Sequence, residues 1–150
     1  MNLGMMCIVS DDSCHGIVSA LNELTYHHDD INLRMFTFGY NTENILKNFP
    51  VLPIHEAKYC YDTLITWDIL SIDLAINFPN IKHIFYIHND NVAWTKNYNI
   101  NYELWEKIFD NPKIDVITCN KDIDTLLQLT WKKPIYIEAL TPENIYNVIR

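Results

Sequence analysis

Residues 84–91 read Ile-Phe-Tyr-Ile-His-Asn-Asp-Asn, an apolar run that stops abruptly in polar side chains. An apolar run rich in β-branched and aromatic residues predicts a strand that is covered on both faces, as in a parallel sheet. Ligands of open parallel sheets bind at the carboxyl ends of the strands. The cluster of His88, Asn89 and Asp90 is therefore the first candidate for a functional site.

Working outward from this strand, predicted strands and helices alternate along the whole chain. The alternation predicts an α/β fold: a single Rossmann-like domain over residues 1–150, with a doubly wound, mostly parallel sheet of about six strands flanked by helices. The predicted strands are 5–9, 33–38, 63–67, 83–87, 116–119 and 134–138. The predicted helices lie between Ser13 and Tyr26, over 42–48, 69–78, 102–109 and 122–129, and from Thr141 onward, with Pro142 in the first turn.

The composition indicates an ordinary globular domain with an acidic surface. The chain has 11 basic and 19 acidic residues, for a net charge of -8, so its surface repels phosphate backbones and broad nucleic-acid binding is not expected. No apolar run reaches the roughly 18–20 residues that a membrane helix needs. The first ten residues lack the basic region of a signal peptide. We expect a cytoplasmic protein without membrane association.

Several common cofactor and metal motifs are missing from the sequence. No G-x-G-x-x-G follows the first strand and no P-loop motif is present, which argues against a dinucleotide cofactor and P-loop nucleotide hydrolysis. The four cysteines show no zinc spacing. Cys14 lies beside His15, but the neighbouring Asp11 and Asp12 disfavour a thiolate nucleophile. We interpret residues 27–30 as a solvated helix end, so neither a metal site nor a cofactor is predicted.

Polar side chains follow most of the predicted strands. Because the carboxyl ends of parallel strands share one edge, these side chains are expected to line one crevice. His88 is of a type that exchanges protons near neutral pH, so it could act as a general base or orient a hydroxyl group. Asp90 could orient the imidazole or bind a sugar hydroxyl, and Trp94 could stack on a sugar ring or base or anchor its loop. In the alternative interpretation, the polar groups only form turns and cap the next helix.

Three segments together resemble the N-terminal, acceptor-side domain of GT-B-fold glycosyltransferases. Residues 62–68 are similar to a strand of that family that starts with Asp and precedes a helix. Residues 84–91 are similar to its strand ending in a His-Asp loop, here with an asparagine inserted. Residues 114–120 and the later strand at 134–137 are similar to its last strand, helix and closing strand. The resemblance covers most of the chain and consists of element order and short motifs.

The resemblance implies that His88 and Asp90 face an interdomain cleft and are the catalytic residues of sugar transfer. It also implies that the loop from Asp11 to Gly16 lies across this cleft. Together with the strand-end argument, this yields a set of predicted ligand-binding residues: Asp11, Asp12, Ser13, His15, Asp68, Asn89, Trp94, Thr118 and Asn120.

The same resemblance implies a partner. GT-B enzymes bind the nucleotide-sugar mostly through a second Rossmann-like domain, which these 150 residues do not contain. The chain is therefore expected to be half of a split enzyme that pairs with a second Rossmann-like chain, a homo-oligomer, or a non-catalytic derivative. Its small-molecule ligand is expected to be a sugar, with the nucleotide-sugar as substrate.

Two alternatives stay open beside sugar transfer. Asp11 and Asp12, with a strand that ends at Asp68, resemble the acidic pair and phosphoacceptor of signalling receiver domains, which hold Mg²⁺ between clustered carboxylates. The next strand ends in His88, where receivers have Thr or Ser. The third interpretation is an α/β protein-interaction module without catalysis.

Overall fold

The computed structural model describes residues 1–8, 14–38, 48–59, 63–88, 103–130 and 133–150. The strands are β1 (Asn2–Cys7), β2 (Asn32–Thr37), β3 (Val51–Pro53), β4 (Thr63–Thr66), β5 (His83–Ile87), β6 (Ile114–Thr118) and β7 (Ile135–Tyr136). The helices are α1 (Cys14–His27), α2 (Ile69–Ala75), α3 (103–109), α4 (Lys121–Thr130) and α5 (Pro142–Ile149), with a 3₁₀ helix at Ile54–Tyr59.

The strands form one seven-stranded sheet in the order β3-β2-β1-β4-β5-β6-β7, and every neighbouring pair is parallel. The predicted α/β, Rossmann-like, doubly wound fold is confirmed. The chain runs from β1 outward to β3 on one side, then returns and runs from β4 to β7 on the other. The direction of winding therefore reverses between β1 and β4. The crevice outside the carboxyl ends at such a reversal is where ligands bind in open α/β sheets.

Side chains alternate between the two faces of the sheet because successive residues of a strand point in opposite directions. In β1, Leu3 and Met5 belong to the apolar cluster with α1 and α5. Met6 belongs to the opposite cluster, with the 3₁₀ helix, α2, α3 and α4. Both faces are thus covered, which explains why the strands read as apolar runs rather than as alternating patterns.

Strand β3 was not predicted from the sequence. Pro50 and Pro53 suggested the end of a helix, whereas Val51–Pro53 forms β3 at the edge of the sheet, paired with β2. Proline lacks the N–H that a central strand must donate, but an edge strand has one side without that demand. The helix predicted over 42–48 lies outside the described residues except for Asn48.

Helix ends follow local sequence signals. Thr141 caps α5 by accepting a hydrogen bond from Asn144 N at 3.3 Å, and Pro142 is the first helical residue, as predicted. Helix α2 ends at Ala75, before the predicted bound of 78, and the chain continues in tighter turns in which Asn77 N and Phe78 N donate to the carbonyl oxygens of Leu74 and Ala75. Among the described residues, no helix has the length and apolarity to cross a membrane.

Candidate functional site at the carboxyl edge of the sheet

His88 directly follows β5 and extends its ladder. Its backbone N–H donates to the carbonyl oxygen of Ile117 at 2.8 Å. Strand alternation places its side chain on the same face as Tyr86, the face covered by α3. The residue is only 1% exposed, so its imidazole lies inside the layer between sheet and helix rather than in the open crevice above the edge.

Aromatic rings surround the imidazole of His88. The Trp105 ring meets it edge-on with centroids 5.2 Å apart, and the Phe109 ring lies at 6.1 Å. Trp105 and Phe109 are one helical turn apart on α3 and stack with an interplanar angle of 9°. This aromatic pair is what covers the histidine.

Tyr86 supplies a polar contact inside this aromatic surrounding. Its hydroxyl oxygen lies 3.0 Å from Nδ1 of His88, a hydrogen bond in which either group can be the donor, depending on the tautomer. Tyr86 is itself buried, at 3% exposure. Sequence reasoning missed Tyr86, Trp105 and Phe109 as neighbours of His88. The available signals were a Tyr-x-His pair on one strand face and an aromatic pair spaced by four residues on a predicted helix.

Asp68 lies at the winding reversal and connects β1 to α2. Its Oδ1 accepts a hydrogen bond from Ser71 N at 2.8 Å, which makes it the N-cap of α2. Its Oδ2 accepts from the Ser71 hydroxyl at 2.5 Å and from Ile8 N at 2.9 Å. The carboxylate therefore holds the end of β1 against the start of the helix that follows β4.

Thr118 and Asn120 form the corresponding junction after β6. The Thr118 hydroxyl oxygen accepts a hydrogen bond from Asn120 N at 3.1 Å. The side-chain oxygen of Asn120 accepts from Asp122 N at 2.9 Å and from Ile123 N at 3.3 Å, so Asn120 caps α4. Both side chains act in the helix start, which is the role that the capping interpretation predicted.

The predicted site residues are thus only partly assembled by the described structure. Asp68, His88 and Asn120 follow the neighbouring strands β4, β5 and β6 at one edge of the sheet. His15 lies in the first turn of α1, with its side chain outside the described part. The other predicted site residues, Asp11, Asp12, Ser13, Asn89, Asp90 and Trp94, also lie outside it. Within the described ranges, no group of three or more acidic, histidine or cysteine side chains is placed to hold a metal ion.

A second histidine, His83, is the first residue of β5 and lies at the amino edge of the sheet, opposite His88. Nε2 of His83 is 2.8 Å from Oδ2 of Asp115 on β6, and its ring lies on Phe85 with centroids 4.3 Å apart. The His83 and Asp115 side chains are 39% and 37% exposed. The His83–Asp115 pair thus shows the contacts of a half-exposed histidine on this sheet, for comparison with the buried His88.

Comparison of the chain with family models, curated proteins and solved structures found no match.

Proposed function

We propose that this domain binds a sugar or nucleotide-sugar at the carboxyl edge of its sheet and takes part in glycosyl transfer. A second Rossmann-like chain or another copy of this one would close the cleft. The observation that carries the proposal is the winding reversal between β1 and β4, with His88 following β5, the strand next to β4. General experience with open α/β sheets puts ligands at such a reversal, and the resemblance to GT-B acceptor domains supplies the ligand class.

Within this proposal, the burial and the hydrogen bonds of the predicted residues indicate different roles for them. His88 is covered by Trp105 and Phe109, which favours orienting a neighbouring group over direct contact with a sugar hydroxyl. Asp68 supports the crevice, because its carboxylate joins Ile8 to the start of α2. Asp90 remains the proposed residue for contact with the transferred sugar or the acceptor.

Two features disfavour the receiver alternative. The oxygens of Asp68 accept hydrogen bonds from Ser71 and Ile8, whereas a phosphoacceptor must present its carboxylate to Mg²⁺ and phosphate. The strand order reverses after three strands, whereas the flavodoxin-like order of receiver domains is 2-1-3-4-5.

The proposal is tested by titration calorimetry of the protein with UDP-glucose, alone and mixed with a co-encoded Rossmann-like chain. Binding is expected in at least one mixture, and Asp90→Asn is expected to weaken it. His55→Gln serves as the control, because His55 is a 69% exposed side chain on the 3₁₀ helix. If UDP-glucose, GDP-mannose and unmodified hexoses all fail to bind in both settings, the sugar-transfer proposal is wrong.

A parallel measurement separates the alternatives. The protein is incubated with Mg²⁺ and acetyl phosphate and analysed by mass spectrometry. We expect no phosphoryl adduct. A stable adduct that is lost in Asp68→Asn would instead support the receiver interpretation, and a protein that neither binds sugars nor takes up phosphate would fit an interaction module.

A further inference from the structure

We propose that Tyr86 fixes the tautomer of His88, with the phenol donating its proton to Nδ1 and the imidazole carrying its own proton on Nε2. The geometric basis is the 3.0 Å separation between the Tyr86 hydroxyl and Nδ1. The two residues are separated by one position on the same strand, so their side chains leave the same face of the sheet. Tyr86 is thus a positioning residue for His88.

The direction of this hydrogen bond follows from the chemistry of the two groups. A neutral imidazole has one nitrogen that donates and one that accepts, and a phenol can do either. The phenol O–H is the more acidic donor and the unprotonated imidazole nitrogen is the stronger acceptor, so the bond from oxygen to nitrogen is favoured over the reverse. For a neutral imidazole, whose ring here lies against Trp105 and Phe109, the bond therefore runs from the Tyr86 hydroxyl to Nδ1.

Both members of the pair are held in place by packing and by the sheet. Tyr86 pairs with Thr66 of β4 on one side and with Val116 of β6 on the other. His88 is anchored through its backbone N–H to Ile117 and is covered by α3. Both residues are at most 3% exposed, so packing keeps Nδ1 of His88 facing the Tyr86 hydroxyl, and the donor strength of the phenol then selects the tautomer.

This inference sharpens the proposed function and, in its consequence for catalysis, rests on it. If Nδ1 accepts from Tyr86 and Nε2 carries the proton, His88 offers a donor at Nε2 and cannot take up a proton as a base while the Tyr86 bond persists. A sugar transfer at this edge that needs a base must then use a group other than His88. His88 acts as a neutral orienting group.

The test identifies the tautomer directly on the unliganded 150-residue protein. Long-range proton–nitrogen correlation spectra distinguish an imidazole nitrogen that carries hydrogen from one that does not, and His88→Gln identifies the His88 signals. We expect Nδ1 without hydrogen and Nε2 with hydrogen in the wild type. Tyr86→Phe is expected to convert His88 to a mixture of tautomers, whereas Tyr136→Phe at the exposed sheet edge leaves the spectrum unchanged.

Two results would overturn the inference: hydrogen on Nδ1 of wild-type His88, or an unchanged tautomer in a folded Tyr86→Phe variant. If Tyr86→Phe does not fold, the wild-type spectrum still tests the assigned tautomer, since hydrogen on Nδ1 would overturn the inference by itself. The measurement needs no ligand. An absence of UDP-glucose binding would therefore contradict the sugar-transfer proposal but would leave the tautomer assignment unaffected.

Discussion

The polar side chains that follow β4 and β6 make different contacts from the polar side chain that follows β5. After β4 and β6, a buried threonine is followed two residues later by Asp68 or Asn120, and this side chain caps the next helix. After β5, the polar side chain of His88 turns into the layer beneath α3 and bonds to Tyr86. In sequence, all of these ends look alike, as apolar runs that stop in polar residues.

The difference separates two uses of a polar residue at the edge of a sheet. A cap satisfies backbone N–H groups that every helix start exposes, so Asp68 and Asn120 are accounted for by local structure. The ring of His88 instead packs against Tyr86, Trp105 and Phe109 in the layer beneath α3. We therefore regard the end of β5 as the more informative part of this edge, and the following predictions test the contrast.

The largest effect is expected from removing the cover of His88. Trp105 is fully buried, and Trp105→Ala should destabilise the protein by about 3–5 kcal/mol because it leaves a cavity beside the imidazole. Urea unfolding followed by circular dichroism measures the change. Leu129→Ala on the outer face of α4, where the side chain is 80% exposed, should stay within about 0.5 kcal/mol of the wild type. Similar losses of stability in the two variants would mean that Trp105 of α3 does not cover His88 in the folded protein.

A smaller loss is expected when only the hydroxyl group beneath α3 is removed. Tyr86→Phe keeps the ring but leaves Nδ1 of His88 without this hydrogen bond, which should destabilise the fold by about 1–3 kcal/mol. Tyr136→Phe provides the matched control at an exposed position on β7. Equal unfolding midpoints for both variants would show that the Tyr86–His88 bond contributes nothing to stability.

The two capped ends should also differ from each other. Asp68→Ala removes the cap of α2 and the bond to Ile8 N, and is expected to destabilise by about 2 kcal/mol, against about 1 kcal/mol for Asn120→Ala, which removes a cap alone. The Ile8 N–H also donates to the Ser71 hydroxyl oxygen at 3.1 Å, so Asp68→Ala should weaken the protection of this amide in hydrogen exchange without abolishing it, and Asn120→Ala should leave it unchanged. An exchange rate of the Ile8 amide in Asp68→Ala equal to that of the wild type would contradict the role of Asp68 in joining β1 to α2.

The smallest effect concerns the other end of β5. His83→Gln removes a half-exposed pair with Asp115, and such cross-strand or surface pairs contribute only about 0.5 kcal/mol. His88→Gln, measured beside it, should destabilise several times more because that ring is buried. If His83→Gln proves the more harmful of the two, the contrast between a surface histidine and a packed one is wrong.

Much of the fold was predictable because its signals are local. The bounds of β5 at His83–Ile87 were predicted from the apolar run alone, and the start of α5 from the Thr-Pro pair at 141–142. Strand β3 was not predicted, since two prolines suggest a helix end, and the strand with which it pairs in the described sheet, β2, is separate from it in sequence. Whether a proline is tolerated in a strand depends on its being at the edge, and that depends on the strand order.

The sequence by itself determined the α/β class, the parallel character of the sheet and most element positions, because hydrophobic periodicity, caps and prolines act over a few residues. It also marked Asp68, His88 and Asn120 as polar strand ends, but it could not tell which of them caps a helix and which is buried beneath one. That assignment was decided by tertiary structure. Residues 103–109 pack Trp105 and Phe109 over the end of β5, and this long-range contact turns His88 into a buried partner of Tyr86.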